Sequence, residues 1–122
     1  MNLNYTICYL DDGPDWLING TYVFQVKDEE NEIGYLGINE SLSKNYYINL
    51  YFPQTLGEGY GLPVAKWAIE YCFERLKAKK ISADLLDKKI EIIPKMCGLK
   101  ETSDLHWEMT LEEYEQLKNS SN

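Results

Sequence analysis

A short glycine-rich segment between a predicted strand and a predicted helix constrains the fold of this chain more than any other feature of its sequence. Tyr46 to Phe52 is rich in aromatic and β-branched residues, which predicts a strand, and Pro53 ends its hydrogen-bonding run. Three glycines then fall within the five residues Gly57 to Gly61. Pro63 fits the first position of a helix, where its missing N–H costs little. The segment therefore predicts a strand, a glycine loop and a helix in succession.

Such a loop is suited to binding an anion. Glycines let backbone N–H groups converge without obstruction by Cβ atoms, and the helix N-terminus adds unpaired amides and the positive end of its dipole. Together these features favour phosphate. The loop lacks the G-K-[ST] of nucleoside-triphosphate loops, and its third glycine does not fit the G-x-G-x-x-G of dinucleotide-binding folds. The glycines alone leave a purely structural turn as the alternative.

The residues after the loop predict a helix and a strand. A broad apolar face repeats at helical spacing through Val64, Ala65, Ala68, Ile69, Cys72, Phe73 and Leu76. Lys80 to Leu86 then alternates as a strand, which predicts a right-handed crossover onto the sheet. Earlier in the chain, patterns typical of strands cover Asn4 to Leu10, Tyr22 to Lys27 and Ile33 to Ile38.

Local signals also predict the last elements. Asp87 is placed to cap a shorter helix that Gly98 ends, although Pro94 inside it costs about 3 kcal/mol unless the helix bends or stops there. Leu105 to Met109 reads as a closing strand. The capping-box spacing of Thr110 to Glu113 opens a final helix through Leu117.

These elements predict an α/β (α+β) fold. Its sheet is mixed, mostly antiparallel and twisted, and contains a β-loop-α-β core. We expect one domain over residues 1–118 and a frayed tail over residues 119–122, because the chain has the length of a single domain and ends in polar residues.

Charge and composition narrow the classes of partner. The net charge of −8 argues against nucleic acid as a partner, although basic residues crowd the stretch between Arg75 and Lys100. No apolar run reaches the length of a membrane helix, and the acidic N-terminus does not resemble a secretory signal. Three unpaired cysteines suggest reduced thiols in a cytoplasmic protein, and a single histidine makes a metal site improbable.

The glycine segment resembles the pyrophosphate-binding loop of the GNAT acyltransferase superfamily, P-x-x-[R/W]-G-K-G-Y-[G/A], which stands here as Pro53 to Gly61. The resemblance extends from Gly34 to Leu117. It includes the helix after the loop, the next strand, Met96 to Leu99 as the end of the following helix, and the tail His106 to Tyr114. The tail and the strand Ile33 to Gly37 resemble the ribosomal-protein N-acetyltransferase branch.

The resemblance implies acetyl-CoA as the cofactor and a strand splayed from its neighbour, so that the pantetheine arm can enter the sheet. The amides of Gly57 to Gly61 would hold the pyrophosphate, and a backbone N–H near Leu50 or Tyr51 would polarise the acyl carbonyl. The full set of cofactor-binding residues implied is Leu50, Tyr51, Phe52, Leu56, Gly57, Glu58, Gly59, Tyr60, Gly61 and Asp87.

Several positions depart from the family pattern. Leu56 replaces the expected arginine or tryptophan, Glu58 replaces the usual lysine, and Asp87 or a neighbouring lysine stands for a capping asparagine. Pro94 lies near the place of the tyrosine that protonates the leaving thiolate in many members. Residues 11–20 are too few for the two helices that usually cover the acceptor site, so this site is open or a second subunit of a homodimer completes it.

No general base is evident on the fourth strand. Glu40 and Glu108 are candidates by position, and His106 is interpreted as a half-buried strand residue. The leading hypothesis is an N-acyltransferase that acts on a primary amine of a protein or of a small cationic molecule. The alternatives are a silent CoA-binding or regulatory module of the same fold, and an unrelated α+β protein whose sheet has no splay.

Overall fold

The protein folds around one seven-stranded sheet with helices on one of its faces. The computed structural model describes residues 1–10, 13–15, 21–52, 55 and 57–120. The strand order is β1-β2-β3-β4-β5-β7-β6. The strands are β1 (Leu3–Ile7), β2 (Tyr22–Asp28), β3 (Asn31–Leu42), β4 (Asn45–Tyr51), β5 (Lys80–Asp84), β6 (Lys100–Ser103) and β7 (His106–Thr110). The helices are α1 (Gly61–Glu70), α2 (Ile92–Met96) and α3 (Leu111–Ser120).

The sheet confirms the predicted fold class. Its neighbouring strands pair antiparallel except β4 and β5, which are parallel and are joined by α1. A parallel pair needs a crossover connection, and α1 supplies it. The chain thus contains the β-loop-α-β core that the sequence predicted, built onto the end of an antiparallel meander.

Strand β3 is longer than the predicted Ile33 to Ile38. The polar residues after Ile38 continue the ladder with β4, so that Leu42 pairs with Asn45 and the turn has only two residues. The second of these, Lys44, has φ 64°, as a tight hairpin turn requires. Exposed ends of a hairpin need no apolar pattern, which is why the sequence did not reveal them.

Helix α1 buries the face that its apolar spacing predicted. Val64, Ala68 and Cys72 are fully buried. The helix begins at Gly61 rather than at Pro63, so Pro63 is its third residue. The proline is tolerated there because the amides of the first turn have no partner within the helix. A π-helical turn, Tyr71–Arg75, continues α1 and carries Cys72 of the same face.

The single helix predicted after Asp87 is divided into two short pieces. The Asp87 carboxylate caps a 3₁₀ turn by accepting the N–H of Lys89 at 2.9 Å, and α2 starts anew at Ile92. Pro94 is therefore in a first turn, and the cost of a mid-helix proline is avoided. Gly98, with φ 90°, ends α2 as predicted. The N–H of Leu99 bonds to the carbonyl of Pro94, and that of Gly98 bonds to Lys95, which is a Schellman motif.

The C-terminal part contains one strand that the sequence did not indicate. β6 is exposed along its whole length and carries no apolar alternation. The closing strand was predicted from Leu105, but Leu105 has φ 62° and belongs to the turn before β7. The capping box is confirmed, since Glu113 N–H donates to Thr110 Oγ1 while Thr110 N–H donates to a Glu113 carboxylate oxygen. Helix α3 includes Asn119 and Ser120 of the predicted tail.

The described helices pack on one face of the sheet. On that face, Phe24 packs against Trp67 of α1, and Met109 packs against the turn at Gly98. The N-terminal strand β1 ends at Ile7, earlier than the predicted Leu10, and forms one edge of the sheet. Residues 11–12, 16–20, 53–54, 56 and 121–122 lie outside the described part of the chain, so the predictions that concern them, including Leu56 and the Pro53 strand end, stay predictions.

Candidate functional site

The sheet opens between β4 and β5. These strands pair only from Asn45 to Tyr47 against Lys80 to Ser82, and no ladder pair follows between them. β4 stays with β3 as far as Tyr51, while β5 stays with β7 as far as Asp84. The two strands therefore follow different neighbours and separate. The structure therefore has the splay that the hypothesis of an acyl-CoA site requires and that the hypothesis of an unrelated α+β protein lacks.

One backbone amide of β4 is directed into this opening. The C=O of Lys44 faces β5, because it accepts the N–H of Lys79 at 2.8 Å. The backbone groups of the next residue, Asn45, face β3, with which Asn45 pairs at the two-residue turn. Backbone groups alternate sides along a strand. Leu50 consequently points its N–H and C=O towards β5, at a level where β5 no longer pairs with it. Tyr51 points its backbone groups towards β3.

A cavity of about 300 Å³ occupies the opening. On the helix face its walls are apolar and include Ile48, Leu50, Ile69, Ala83 and Ile93. Two polar residues, Asn49 and Asp84, also line it. Successive residues of a strand point to opposite faces, so the lining, which includes Ile48 to Leu50 and Ala83 to Leu85, comes from residues of both faces.

The glycine loop precedes α1 beside this cavity. Gly57 and Gly59 have φ of 89° and 87°, and a Cβ at either would meet nothing within 4 Å. Glycine is needed there for conformation rather than for lack of space. Gly61 differs, because its Cβ would lie 2.7 Å from Ile93 Cδ1 of α2. The third glycine thus allows α1 to approach α2.

Several loop amides remain available as donors. Glu58 N–H donates to Thr55 C=O at 3.1 Å, and Val64 N–H donates to Tyr60 C=O at 3.2 Å. Within the described residues, the N–H groups of Gly59, Tyr60 and Gly61 donate to no partner. They lie at the N-terminus of α1, which has no side-chain cap. This arrangement fits an anion.

The β2–β3 hairpin holds the loop in place. Tyr60 Oη donates to Asp28 Oδ2 at 3.0 Å, and Thr55 Oγ1 donates to Ile33 C=O at 2.6 Å. Asp28 also accepts the N–H of Asn2, and these hydrogen bonds lower its carboxyl pKa. None of these contacts was predicted, since they join residues more than 20 positions apart.

The structure distributes the predicted site residues unevenly. Leu50 lines the opening and Gly57 to Gly61 lie at the start of α1, whereas the Phe52 side chain is buried in the core. Glu58 is exposed in the loop. One oxygen of the Asp87 carboxylate is occupied by the amide of Lys89.

A polar cluster lies on β5 and β7, on the sheet face away from the helices. His106 Nδ1 is 2.5 Å from Asp84 Oδ1, and its Nε2 is 2.9 Å from Glu108 Oε2. Lys80 Nζ lies 3.2 Å from the same Glu108 oxygen. The two carboxylates raise the pKa of His106, and hydrogen bonding from His106 and Lys80 lowers that of Glu108. His106 is a half-buried strand residue, as expected.

Two classes of feature are not found in the described part of the chain. Its helices include none with the length and apolar character to cross a membrane. Its histidine, cysteine and acidic residues form no group of three that could hold a metal ion.

Comparison with known proteins gives a likeness of fold. No protein-family profile matches the sequence, and no curated protein matches it. Among solved structures, the spermidine/spermine N-acetyltransferase SpeG from Vibrio cholerae in complex with manganese ions has a TM-score of 0.79 at 15% identity, over 95% of this chain and 96% of that one. A GNAT-family acetyltransferase from Bacillus anthracis has a TM-score of 0.65 at 16% identity, over 79% and 69%. The chain has the GNAT fold.

The GNAT likeness includes proteins solved as large assemblies. A dodecameric spermidine N-acetyltransferase from Vibrio cholerae has a TM-score of 0.68 at 19% identity, over 76% of this chain and 66% of that one. These TM-scores support the GNAT fold, whereas the ribosomal-protein branch and a shortened N-terminus stay predictions.

Proposed function

We propose that this chain is an acyl-CoA-dependent N-acyltransferase that transfers acetyl from acetyl-CoA to a primary amine. The observation that carries the proposal is the opening between β4 and β5, with its cavity of about 300 Å³ beside a glycine loop. A pantetheine arm carries amides as well as apolar groups, and it would find both apolar walls and unpaired strand backbone there. The GNAT fold supports this reading.

In this proposal the cofactor lies across the start of α1. The amides of Gly59, Tyr60 and Gly61 donate to the pyrophosphate, together with the positive end of the helix dipole. The family resemblance assigns Leu56, in the loop, and Asp87, at the place of the capping asparagine, to the same site. The arm then follows β4 past Tyr51 and Phe52.

The acyl carbonyl is proposed to accept the N–H of Leu50. The alternation of backbone groups favours Leu50 over Tyr51, because only the former faces the opening. A fixed donor aimed at the oxygen stabilises the negative charge that develops when an amine attacks. The apolar walls of Ile48 and Ala83 strengthen this interaction by excluding water.

The acceptor is proposed to be cationic. The net charge of −8 attracts positively charged molecules and accelerates their encounter with the protein. Both a basic protein N-terminus and a small polyamine have this chemistry. The similar Vibrio cholerae enzymes are spermidine N-acetyltransferases, which favours testing a polyamine first.

A silent module that binds CoA without turnover is the second candidate. Glu58 favours it, because this exposed carboxylate lies in the loop that would receive the pyrophosphate.

We also propose that the protein acts in the cytoplasm as a single domain over residues 1–118, and that a second subunit completes the acceptor side. The described helices all pack on one face of the sheet and leave the opposite face uncovered. This uncovered face supports the proposal that a second subunit completes the acceptor side.

The test is acetyl transfer to a panel of amines. Purified protein is incubated with acetyl-CoA and spermidine, a basic peptide N-terminus or lysine, and the release of free thiol is measured. We expect release above background with at least one amine. Gly59→Glu should abolish acetyl-CoA binding by placing a charge among the amides, whereas Asn119→Glu adds the same charge at the exposed end of α3 and should not. Binding without thiol release would favour the silent module, and no binding would contradict both.

A further inference from the structure

The opening between β4 and β5 contains a carboxylate that the sequence did not single out. Asp84 lines the cavity from β5, and Asn49 lines it from β4. In the β5–β7 ladder, Asp84 pairs with His106, and Ser82 pairs with Glu108. Asp84 therefore shares a face with His106 and Glu108, opposite to the face that α1 and α2 cover. The cavity lies where β4 and β5 no longer pair, and residues of both faces line it, so a donor from one face and an acceptor from the other can meet in this gap.

The neighbours of Asp84 hold its side chain in a defined orientation. Its Oδ1 is 2.5 Å from His106 Nδ1, and the other ring nitrogen is 2.9 Å from Glu108 Oε2. Ionised carboxylates only accept hydrogen bonds, so two of them beside one ring favour its doubly protonated form and raise the pKa of His106. Tyr47 of β4 lies against this ring, with centroids 6.2 Å apart.

The second carboxylate oxygen of Asp84 is available. It has no hydrogen-bond or ion-pair partner among the described residues, and the side chain is 61% exposed. This oxygen can therefore accept a proton or a hydrogen bond from a molecule in the opening. The other acidic residues of the region are engaged. Glu108 binds both Lys80 and His106, and Glu40 accepts the amide of Lys44 beside the closed end of the β4–β5 pair.

We propose that Asp84 is the carboxylate that takes the proton from the attacking amine, and that His106 is the residue that positions it. This inference rests on the proposed acyl transfer. The nitrogen of a neutral amine forms a bond to the acyl carbon, and the bond from that carbon to sulfur breaks. Sulfur leaves as the CoA thiolate and is protonated by solvent. The N–H proton that the amine loses goes to Asp84 Oδ2 and from there to water.

The experiment compares isosteric and conservative variants of the full chain. Asp84→Asn retains the size of the side chain but cannot accept the proton at neutral pH. General-base catalysis contributes about 10²–10⁴-fold, so we expect kcat to fall by about 100-fold or more. The dissociation constant of acetyl-CoA, measured by calorimetry, should stay within about twofold of the wild type. Asp84→Glu should recover part of the lost rate.

Two further variants separate catalysis from structure. Asp104→Asn removes an exposed carboxylate that pairs only with Lys88, and should leave kcat unchanged. His106→Gln should lower kcat while the KM for acetyl-CoA stays constant, because it frees Asp84 to rotate. A positioning role predicts this split, whereas general loss of structure would change both values.

Each result has one meaning. A wild type that turns over while Asp84→Asn keeps its kcat overturns the role of Asp84 and leaves the proposed function intact. A wild type that binds acetyl-CoA but transfers to no amine overturns both the acyl transfer and the role of Asp84. A parallel loss of acetyl-CoA binding in Asp84→Asn would also overturn the role, because the proposal places Asp84 on the acceptor side.

Discussion

Gly34 and Phe52 form the contact that attaches the end of β4 to the hairpin before it. A Cβ at Gly34 would lie 2.1 Å from Phe52 Cδ1 and 2.4 Å from the carbonyl oxygen of Tyr51. The absence of a side chain therefore lets the Phe52 ring enter the core, directly before the loop that leads to α1. A residue outside the glycine loop thus sets where that loop begins.

We predict that Gly34→Ala is strongly destabilising. Overpacking of this kind costs about 1–3 kcal/mol, and here one of the clashing atoms belongs to the backbone. Urea denaturation should show a lower midpoint than for the wild type. Gly57→Ala is the matched control, because it adds the same methyl group in open space and carries only the strain of a positive φ. An equal loss in the two variants would show that the close contact with Phe52 is not decisive.

Glu58 is the residue whose charge most opposes the proposed ligand. It is exposed in the loop, and its own amide is engaged with Thr55. Glu58→Lys should tighten CoA binding by about fivefold or more, since a charge 4 Å away contributes about 1 kcal/mol in water. Glu58→Gln should have an intermediate effect. Calorimetry at low and high salt would check this, because a Coulombic effect weakens as salt rises. Unchanged affinity would indicate that the phosphates lie elsewhere.

Among the elements, the β5–β7 pair carries the main titratable link. The ring of His106 joins a carboxylate of β5 to one of β7, and Lys80 contacts the carboxylate of β7. These contacts raise the His106 pKa from its ordinary 6.5.

We predict that this link makes stability depend on pH. A group whose pKa is raised by folding contributes fully to the free energy of unfolding when the pH is below its unfolded pKa, here 6.5. This contribution is lost as the pH rises through the higher pKa of the folded state. The free energy of unfolding should therefore fall from pH 6 to pH 9. His106→Gln should remove that part of the decrease, as measured by urea denaturation at several pH values. Identical pH profiles for the two proteins would mean that the link contributes nothing to stability.

At the scale of the whole molecule, the sheet consists of two parts joined by a short parallel pairing. β4 and its meander form one part, β5 to β7 form the other, and only Asn45 to Tyr47 pair across. A ligand lodged in the opening would contact both parts. It would act as an additional connection at the place where the sheet is least continuous.

Acetyl-CoA should accordingly raise the melting temperature. A ligand that binds only the folded state adds about 2.7 kcal/mol at 100 times its dissociation constant. Gly59→Glu at the same ligand concentration should show a much smaller rise in melting temperature. The rise is measured from the melting temperature of the variant itself without ligand. No shift in the wild type at millimolar acetyl-CoA would contradict the proposed cofactor site.

The sequence by itself determined the features that depend on local spacing. The apolar face of α1, the cap at Asp87, the stop at Gly98 and the capping box at Thr110 all appear where the pattern placed them. Each involves residues within a few positions of one another, so periodicity and capping rules suffice. Exposed β6 and the polar end of β3 lacked such a pattern, and were missed.

Only the tertiary structure decided how the site is assembled. The opening exists because β4 follows β3 while β5 follows β7, and no local pattern records which neighbour a strand prefers. The choice of Leu50 over Tyr51 depends on strand register, and the place of Asp84 beside His106 joins residues 22 positions apart. Pairings over such distances are set by the packing of the whole core, which is why the sequence indicated a phosphate-binding loop but not the carboxylate in the opening beside it.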